Sequence, residues 1–331
     1  MKKNKKILVI LLVLLLFLTG CTKQMKDADG KVIQSEKTKQ VLVENILCQP
    51  EELKDEYNEA IEQKKKDYKK MYEDGDLSKN DYKENINSLL DVEKLPKCKK
   101  ISVIEGGYET LWTSVFIKPL AWVIVNIGKL LWNNYGLAII IITILIKLVL
   151  MPLTIKSMKQ SESIQKAQPK LNKIEKKYAN KTDQESMMMK SNEMMAVYKE
   201  YKINPMSGCL IGFLQIPLFF AFYEALNRLP ILFEGKFLWF HMGMTPMAAA
   251  GEGYWYYLIL PVIVGLVTYF SFKMNNNNMN NEQAKQMKMM FNIMIVMIFI
   301  TSFSMSVAII IYWITNSVLT ILQNLLVKRS K

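Results

Sequence analysis

The sequence predicts an all-α integral membrane protein: five transmembrane helices around a hydrophilic groove, with a cytoplasmic helical hairpin and an interfacial amphipathic helix. Three observations carry that expectation. Half of the residues are hydrophobic, yet the net charge is +13, a mixture that suits apolar spans joined by basic loops and not a soluble domain. Several apolar stretches approach the ~20 residues that cross a bilayer. A few polar residues recur inside those stretches at helical spacing, which puts them on one face.

Residues 135–153 are the stretch around which the rest is organised. They are apolar except for Thr143 and Lys147, which lie one turn apart on one face. A cation on a membrane helix costs about 2.5–3.5 kcal/mol at the bilayer centre on insertion scales. Pro152 follows five residues later and is read as the helix end, which leaves Lys147 ~7 Å from that end at about 1.5 Å per residue. Lys147 therefore either snorkels to the headgroups or points into a water-filled hollow between helices.

The chain starts with a targeting pattern. Lys2, Lys3, Lys5 and Lys6 precede an apolar run, residues 7–18, that is too short to span. It ends Leu18-Thr19-Gly20-Cys21, which resembles a lipobox in which Cys21 is lipidated, a reading favoured over an ordinary signal peptide or short anchor. Residues 22–108 are polar, with lysines and acids nearly balanced and few apolar positions, among them Leu53, Tyr57 and Ile61. A solvated spacer with marginal helices is favoured over a partner-binding domain. Cys48 and Cys98 flank its helical part and suit a disulfide in an oxidising compartment.

Residues 111–131 carry Trp112, Trp122, Lys118 and Lys129 at intervals, the composition of a helix lying in the interface. After 135–153, residues 156–204 hold 11 lysines against 6 acids. They read as a cytoplasmic hairpin, kinked or broken at Pro169, with Thr182-Asp183-Gln184-Glu185 as a capping box for its second helix. The remaining spans are residues 206–226, opened by Asn204-Pro205 and containing Gln215 and Pro217; 254–272; a short, Met-rich 289–302; and 307–327. The last carries a polar stripe of Trp313, Asn316, Ser317, Thr320 and Asn324. Helix–helix hydrogen bonding is the ordinary explanation. The stripe, Gln215 on a second helix and Lys147 on a third together favour one shared wet cavity. His241 sits in an aromatic loop as an interfacial residue. Met187, Met188, Met189, Met194 and Met195, with Met274, Met279, Met287, Met289 and Met290, read equally as adaptable apolar contact and as compositional bias. With one histidine and no GxGxxG, Walker A, HExxH or paired CxxC motif, nothing indicates a catalytic residue, a metal or a cofactor.

Asn134-Tyr135-Gly136-Leu137-Ala138, Gln168-Pro169-Lys170-Leu171, Asn204-Pro205, Gly208-Cys209-Leu210, Gln215-Ile216-Pro217, Phe237-Leu238-Trp239-Phe240 and Tyr312-Trp313 occur in this order. In this arrangement the chain resembles the YidC/Oxa/Alb membrane protein insertases, in the lipoprotein form of Gram-positive bacteria, over roughly residues 111–328. The resemblance implies insertion of nascent membrane proteins into the plasma membrane, with membrane lipids, the Sec translocon and the ribosome as partners through the basic hairpin and the C-terminal tail, and no DNA. It places Lys147 where the family usually carries an inward-facing arginine, Gln215 and Trp313 as groove residues, the lipid-anchored N-terminus outside and the C-terminus inside. Lysine keeps the charge but loses the planar fork. The turn at 303–308 departs from the family's Pro- and Gly-bearing form.

The resulting division is a signal peptide (1–20), an extracellular lipid-anchored insertion (21–108), an interfacial helix (109–132) and an insertase core (133–331). Two rival functions stay open: a small channel or transporter in which Lys147 selects an anionic solute, and a lipid-anchored scaffold whose polar face only joins helices.

Overall fold

The computed structural model describes residues 22–27, 29–36, 38–104, 109–203, 207–275 and 282–329. The signal peptide, Cys21 and the Asn204-Pro205 cap lie outside the described residues. The chain is helical nearly throughout and forms two compact units. The first comprises Met1–Ile142, Pro217–Leu258 and Phe303–Tyr312, the second Thr143–Ile216, Ile259–Ser302 and Trp313–Lys331.

In the first unit, the segment read from sequence as a solvated spacer is folded, and that reading is corrected. Short antiparallel bridges join Gln24 to Val43, Lys26 to Val32 and Gln34 to Val41. Helix α1 (Lys54–Glu73) lays Tyr57, Ala60 and Ile61 against them, closing a core with Met25, Leu42, Val43, Ile46, Leu53 and Val92. The spacing Leu53, Tyr57, Ile61 is one helical stripe. The Tyr57 hydroxyl also accepts the Val43 N–H at 3.3 Å. Helix α2 (Lys79–Ser88) is capped by Ser78, which accepts the Asp81 N–H, and Tyr82 stacks on Tyr72 with ring centroids 5.0 Å apart. A disulfide joins Cys48 to Cys98. The sparse apolar residues suffice because they converge on one small core and the cross-link restricts the unfolded chain.

This small domain is bonded to segments distant in sequence. Glu234 accepts the N–H groups of Glu51, Glu52 and Leu53 at 2.8, 2.9 and 3.1 Å. Leu53, at the N-cap position of α1, makes no side-chain cap; the Glu234 carboxylate instead fixes the turn that leads into the helix. The Leu47 N–H donates to the Arg228 carbonyl at 2.8 Å.

The rest of the first unit carries helix ends and their turns. A short π-helix, Thr113–Ile117, leads into α3 (Lys118–Leu130), and helix α4 (Tyr135–Lys177) begins after a left-handed turn at Trp132 and Asn133. A Cβ on Gly136 would lie 2.3 Å from the Phe237 ring; only glycine lets that ring pack on the first turn of α4. Phe237 belongs to a two-strand hairpin, β1 (Lys236–Phe237) with β2 (Phe240–His241). Helix α6 (Ser207–Asn227) and the short α7 (Pro230–Phe233) precede this hairpin, and α8 (Pro246–Gly251) follows it. The 303–308 turn needs neither Pro nor Gly, because the Met247 N–H donates to the Phe303 carbonyl while Val307 and Ala308 donate to the carbonyls of Met244 and Met242.

In the second unit, α4 does not end at Pro152. Pro152 and Pro169 both lie inside one 43-residue helix, correcting the expected break. Each proline removes one backbone hydrogen bond. Near Pro152 the Thr154 hydroxyl donates to the Leu150 and Met151 carbonyls at 3.2 and 2.9 Å, and near Pro169 the helix packs on α5 (Gln184–Glu200). That hairpin has its own core of Ala167, Leu171, Met194, Val197 and Ile203. Asp183, not Thr182, is its N-cap: the Asp183 carboxylate accepts the Ser186 N–H at 2.8 Å. Lys177 and Tyr178 both bond Glu193. Met187, Met188, Met189 and Met195 are exposed, whereas Met194 is in the core.

Helices α9 (Ile259–Asn275) and α10 (Glu282–Ser302) pack together, with Phe299 against Gly265. Helix α11 (Val307–Arg329) closes the chain. Among the described residues, four helices are long and apolar enough to cross a membrane: Thr113–Leu130, Tyr135–Lys177, Trp255–Met274 and Val307–Val327, with a shorter apolar segment at Phe291–Ser302. Residues 113–130, expected in the interface, meet the length and hydropathy of a span as well. Large apolar side chains such as Ile259, Leu266, Phe270, Ile293 and Ile300 point outward, a surface that belongs in lipid.

Candidate functional site

The polar residues read from sequence come together mainly on α4 and α11 of the second unit. Lys147 is half-buried on α4, and its Nζ donates to Thr320 Oγ1 on α11 at 2.9 Å. The Thr320 hydroxyl donates onward to the Asn316 carbonyl at 2.8 Å, and Asn324 Nδ2 donates to the Thr320 carbonyl at 3.0 Å. Asn316, Ser317 and Asn324 are buried, as is Thr143, one turn before Lys147 on α4. The i, i+4 and i+8 positions of Asn316, Thr320 and Asn324 form one stripe, and that stripe meets the Lys147 face of α4.

Trp313 is half-buried, and its indole N–H donates to Thr268 Oγ1 on α9 at 3.0 Å. It therefore braces α11 against α9. Gln215 is half-buried on α6, and no hydrogen bond among the described residues joins it to Lys147.

Three participants were missed in the sequence. Gln323 Nε2 donates to Thr154 Oγ1, tying α11 to α4 beyond the Lys147–Thr320 contact. Gln323 lies three residues after Thr320, so extending the stripe by one turn finds it. Thr154 follows Pro152 by two residues, where freed carbonyls attract a hydroxyl. Thr268, buried on α9, is a lone threonine in an apolar run and carries no signal.

The electrostatics follow from what surrounds the ammonium. Among the described residues no carboxylate pairs with Lys147; its bonded partner is a neutral hydroxyl. Leu145, Leu148 and Val149 beside it are exposed apolar side chains. A charge in such surroundings is screened far less than in water, so it attracts an approaching carboxylate strongly. There is no cluster of three His, Cys, Asp or Glu able to hold a metal among the described residues.

The first unit holds a second cation. Arg228 is fully buried, and its Nη2 lies 2.6 Å from Glu109 while Nη1 lies 3.2 Å from Glu224 on α6. Its Nε donates to the Asn45 carbonyl at 2.5 Å, and the Trp112 indole N–H donates to Glu224 at 3.1 Å. The signal for this cluster was in the sequence: an acid and an arginine four apart at the end of a span.

Comparison with known proteins identifies the family. Residues 127–331 match the family described as 60Kd inner membrane protein. A membrane protein insertase YidC of Oceanobacillus iheyensis is 36% identical over 244 residues, covering 71% of this chain and 91% of the relative. A membrane protein insertase YidC 2 of Listeria innocua is 34% identical, covering 69% and 79%. The membrane protein insertase MisCA of Bacillus subtilis is 35% identical over 163 residues, covering 49% and 59%. The match over the helical core and the identity to these relatives place the chain in the 60Kd inner membrane protein family, the YidC/Oxa insertases.

Proposed function

We propose that the chain is a membrane protein insertase that uses Lys147 to draw the polar tails of nascent segments into the bilayer. Family membership supports the activity. The mechanism is carried by one observation, the Lys147 ammonium held by Thr320 on a polar stripe without a carboxylate partner among the described residues.

The polar tail of a nascent span must cross an apolar slab. The half-buried Lys147 and Thr320 give α4 and α11 a polar patch, backed by the buried Asn316 and Ser317, that shortens that slab. The ammonium attracts acidic residues of the tail and holds them while the apolar segment partitions into lipid. Hydrophobic burial then drives release, at ~25 cal/mol per Å² of apolar surface. Thr320 aims the ammonium and Trp313 holds α11 in place; Gln215 and Thr143 add polar lining.

In this reading the mature chain begins at a lipidated Cys21 outside the plasma membrane. Residues 21–108 form an outer domain, 109–132 lie in the interface, and the core 133–331 exposes its hairpin and C-terminus to the cytoplasm. The excess of lysine on the hairpin supports that orientation. The hairpin and tail offer basic surface to ribosomal RNA, lipid and the Sec translocon, and the exposed methionines 187–189 and 195 offer adaptable contact to nascent chains.

The test places a single cysteine at 147 in a Cys209→Ser background and probes membranes with a water-soluble maleimide from each face. Labelling from the cytoplasm alone is expected. Labelling from both faces indicates a pore and revives the channel. No labelling means a dry site, and the role of Lys147 is withdrawn.

A further inference from the structure

The β1–β2 hairpin of the first unit turns through two residues, Leu238 and Trp239. Both turn side chains stand in the open: Leu238 is 67% and Trp239 75% exposed. The aromatic residues on either side are held by the protein. Phe237 packs on Gly136, and the Phe240 ring meets Tyr257 edge-on with centroids 5.0 Å apart. The His241 N–H donates to the Tyr257 hydroxyl at 2.7 Å, and the Tyr256 hydroxyl donates to the Trp239 carbonyl at 3.3 Å. The base of the hairpin is therefore fixed while its apolar tip projects.

The backbone at the tip is strained. Leu238 has a φ of 54°, in the left-handed region where a two-residue hairpin turn favours glycine. Glycine would close this turn without strain; leucine closes it and adds an exposed apolar side chain. Such strain persists where the surroundings over-determine it, as the bonds of the hairpin base do here.

The level of the tip follows from what holds it. Gly136 is in the first turn of α4, and Tyr256 is the second residue of the candidate span Trp255–Met274. The hairpin is thus pinned beside the starts of two spans. Exposed aromatic side chains surround those starts: Tyr254, Trp255 and Tyr256 at one, and Trp132, three residues before α4, at the other. The polar layer of a bilayer lies at the ends of its spans, and the amphipathic rings of Trp and Tyr favour it. Residues 237–251 contain no Asp, Glu, Lys or Arg, so the tip brings no ionic group to pair with a charged protein partner. Its surface continues that of the spans, which belongs in lipid.

We propose that Leu238 and Trp239 dip into the leaflet at which α4 and the Trp255–Met274 span begin, with the boundary between lipid headgroups and acyl chains as their partner. Phe237 and Phe240 serve as the scaffold that aims the tip. The proposal rests on the placing of these helices in a bilayer and not on the role of Lys147, so its failure leaves that role standing.

The test uses the full chain carrying Cys209→Ser, with the Cys48–Cys98 disulfide intact, in vesicles of phosphatidylcholine and phosphatidylglycerol. Leu238→Cys and Trp239→Cys are made one at a time, so that each keeps the other native side chain, and are labelled with an NBD fluorophore; the emission of the labelled parent is subtracted. Nitroxide-bearing lipids should lower the emission at least about twofold at both positions, more when the nitroxide is near the headgroup than at mid-bilayer, and aqueous iodide should lower it little. Adding Trp239→Asp should weaken nitroxide quenching of the label at 238 several-fold. The Tyr256 hydroxyl bonds the backbone carbonyl of residue 239, so this change leaves the hairpin base in place. Quenching by iodide and not by nitroxide lipids puts the tip in water and overturns the proposal. Quenching by neither means that protein covers the tip, and overturns it as well. Unchanged nitroxide quenching in the Trp239→Asp chain shows that the label and not the tip enters the bilayer, which also overturns it.

Discussion

Two cations, one in each unit, are taken out of water and treated in opposite ways. Arg228 is fully buried and saturated: two carboxylates, the Asn45 carbonyl and the Thr113 hydroxyl surround its guanidinium. Lys147 is half-buried and is bonded to one neutral hydroxyl, with no carboxylate partner among the described residues. The first arrangement is a staple. It fixes a planar fork between groups from residues 45, 109, 113 and 224, and it has little attraction left for anything else. The second leaves a charge uncompensated where screening is weak, which makes it available to an incoming acid. Residue type follows use: arginine's five donors suit many fixed acceptors, and lysine's single mobile point charge suits a transient one.

The sharpest way to break this contrast is to reverse the charge at the available cation. Lys147→Glu is expected to lower insertion of substrates with acidic tails more than tenfold in proteoliposomes, measured by protease protection, while Lys147→Arg stays near wild type. A fully active Glu variant would end the electrostatic role. At the staple, Arg228→Met strands Glu224 and Glu109 and should destabilise the first unit by about 3–5 kcal/mol. Limited proteolysis of the N-terminal domain against denaturant would read this. Adding Glu224→Gln should recover part of the loss, whereas an additive double variant would show that the pair is not coupled.

Reducing the Cys48–Cys98 bond, which closes a 50-residue separation, should cost the same domain about 3–4 kcal/mol by freeing its unfolded chain. The Lys147 site should not respond, and labelling at 147 before and after reductant removal checks that. Smaller still, Glu234→Ala should cost about 1 kcal/mol by removing the acceptor of the Glu51, Glu52 and Leu53 N–H groups. Burial pushes the Glu234 carboxyl above its usual 4.5. A raised carboxyl holds its proton more tightly folded than unfolded, so its contribution is full below 4.5 and is lost as pH rises through the folded value. Glu234→Gln should flatten that slope in pH-dependent unfolding curves.

The smallest effect is expected at Asp183, whose carboxylate is held below its usual 3.8 by the Ser186 N–H. There the sign reverses: the contribution is present above 3.8 and disappears as pH falls through the folded value. Hydrogen exchange at the start of α5 should speed up in Asp183→Ala at neutral pH and much less in acid.

How far the sequence could be read differs between the units for a physical reason. Lipid imposes long apolar runs, and polar residues inside them stand out; Lys147, Thr320, Asn316 and the helices that carry them were therefore legible. The hairpin cap was misplaced by one residue, since Thr182 and Asp183 are both good caps and only the backbone turn chooses between them. Pro152 misled more seriously, because the hydroxyl of Thr154 and the contact with Gln323 support a helix that proline alone would end.

Sequence and structure differ most in the N-terminal domain. Its apolar residues are few and scattered from Met25 to Val92, and no local pattern says that they converge. By itself, the sequence determined what periodicity and charge encode: the apolar helices, the basic hairpin, the polar stripe and the cysteine pair. Only the tertiary structure decided that Glu234 holds the N–H of Leu53, 181 residues earlier in the chain, that Arg228 gathers groups from residues 45, 109 and 113 and that α4 runs through its prolines. Those features depend on groups distant in the chain meeting in space, and a local pattern holds no record of such meetings.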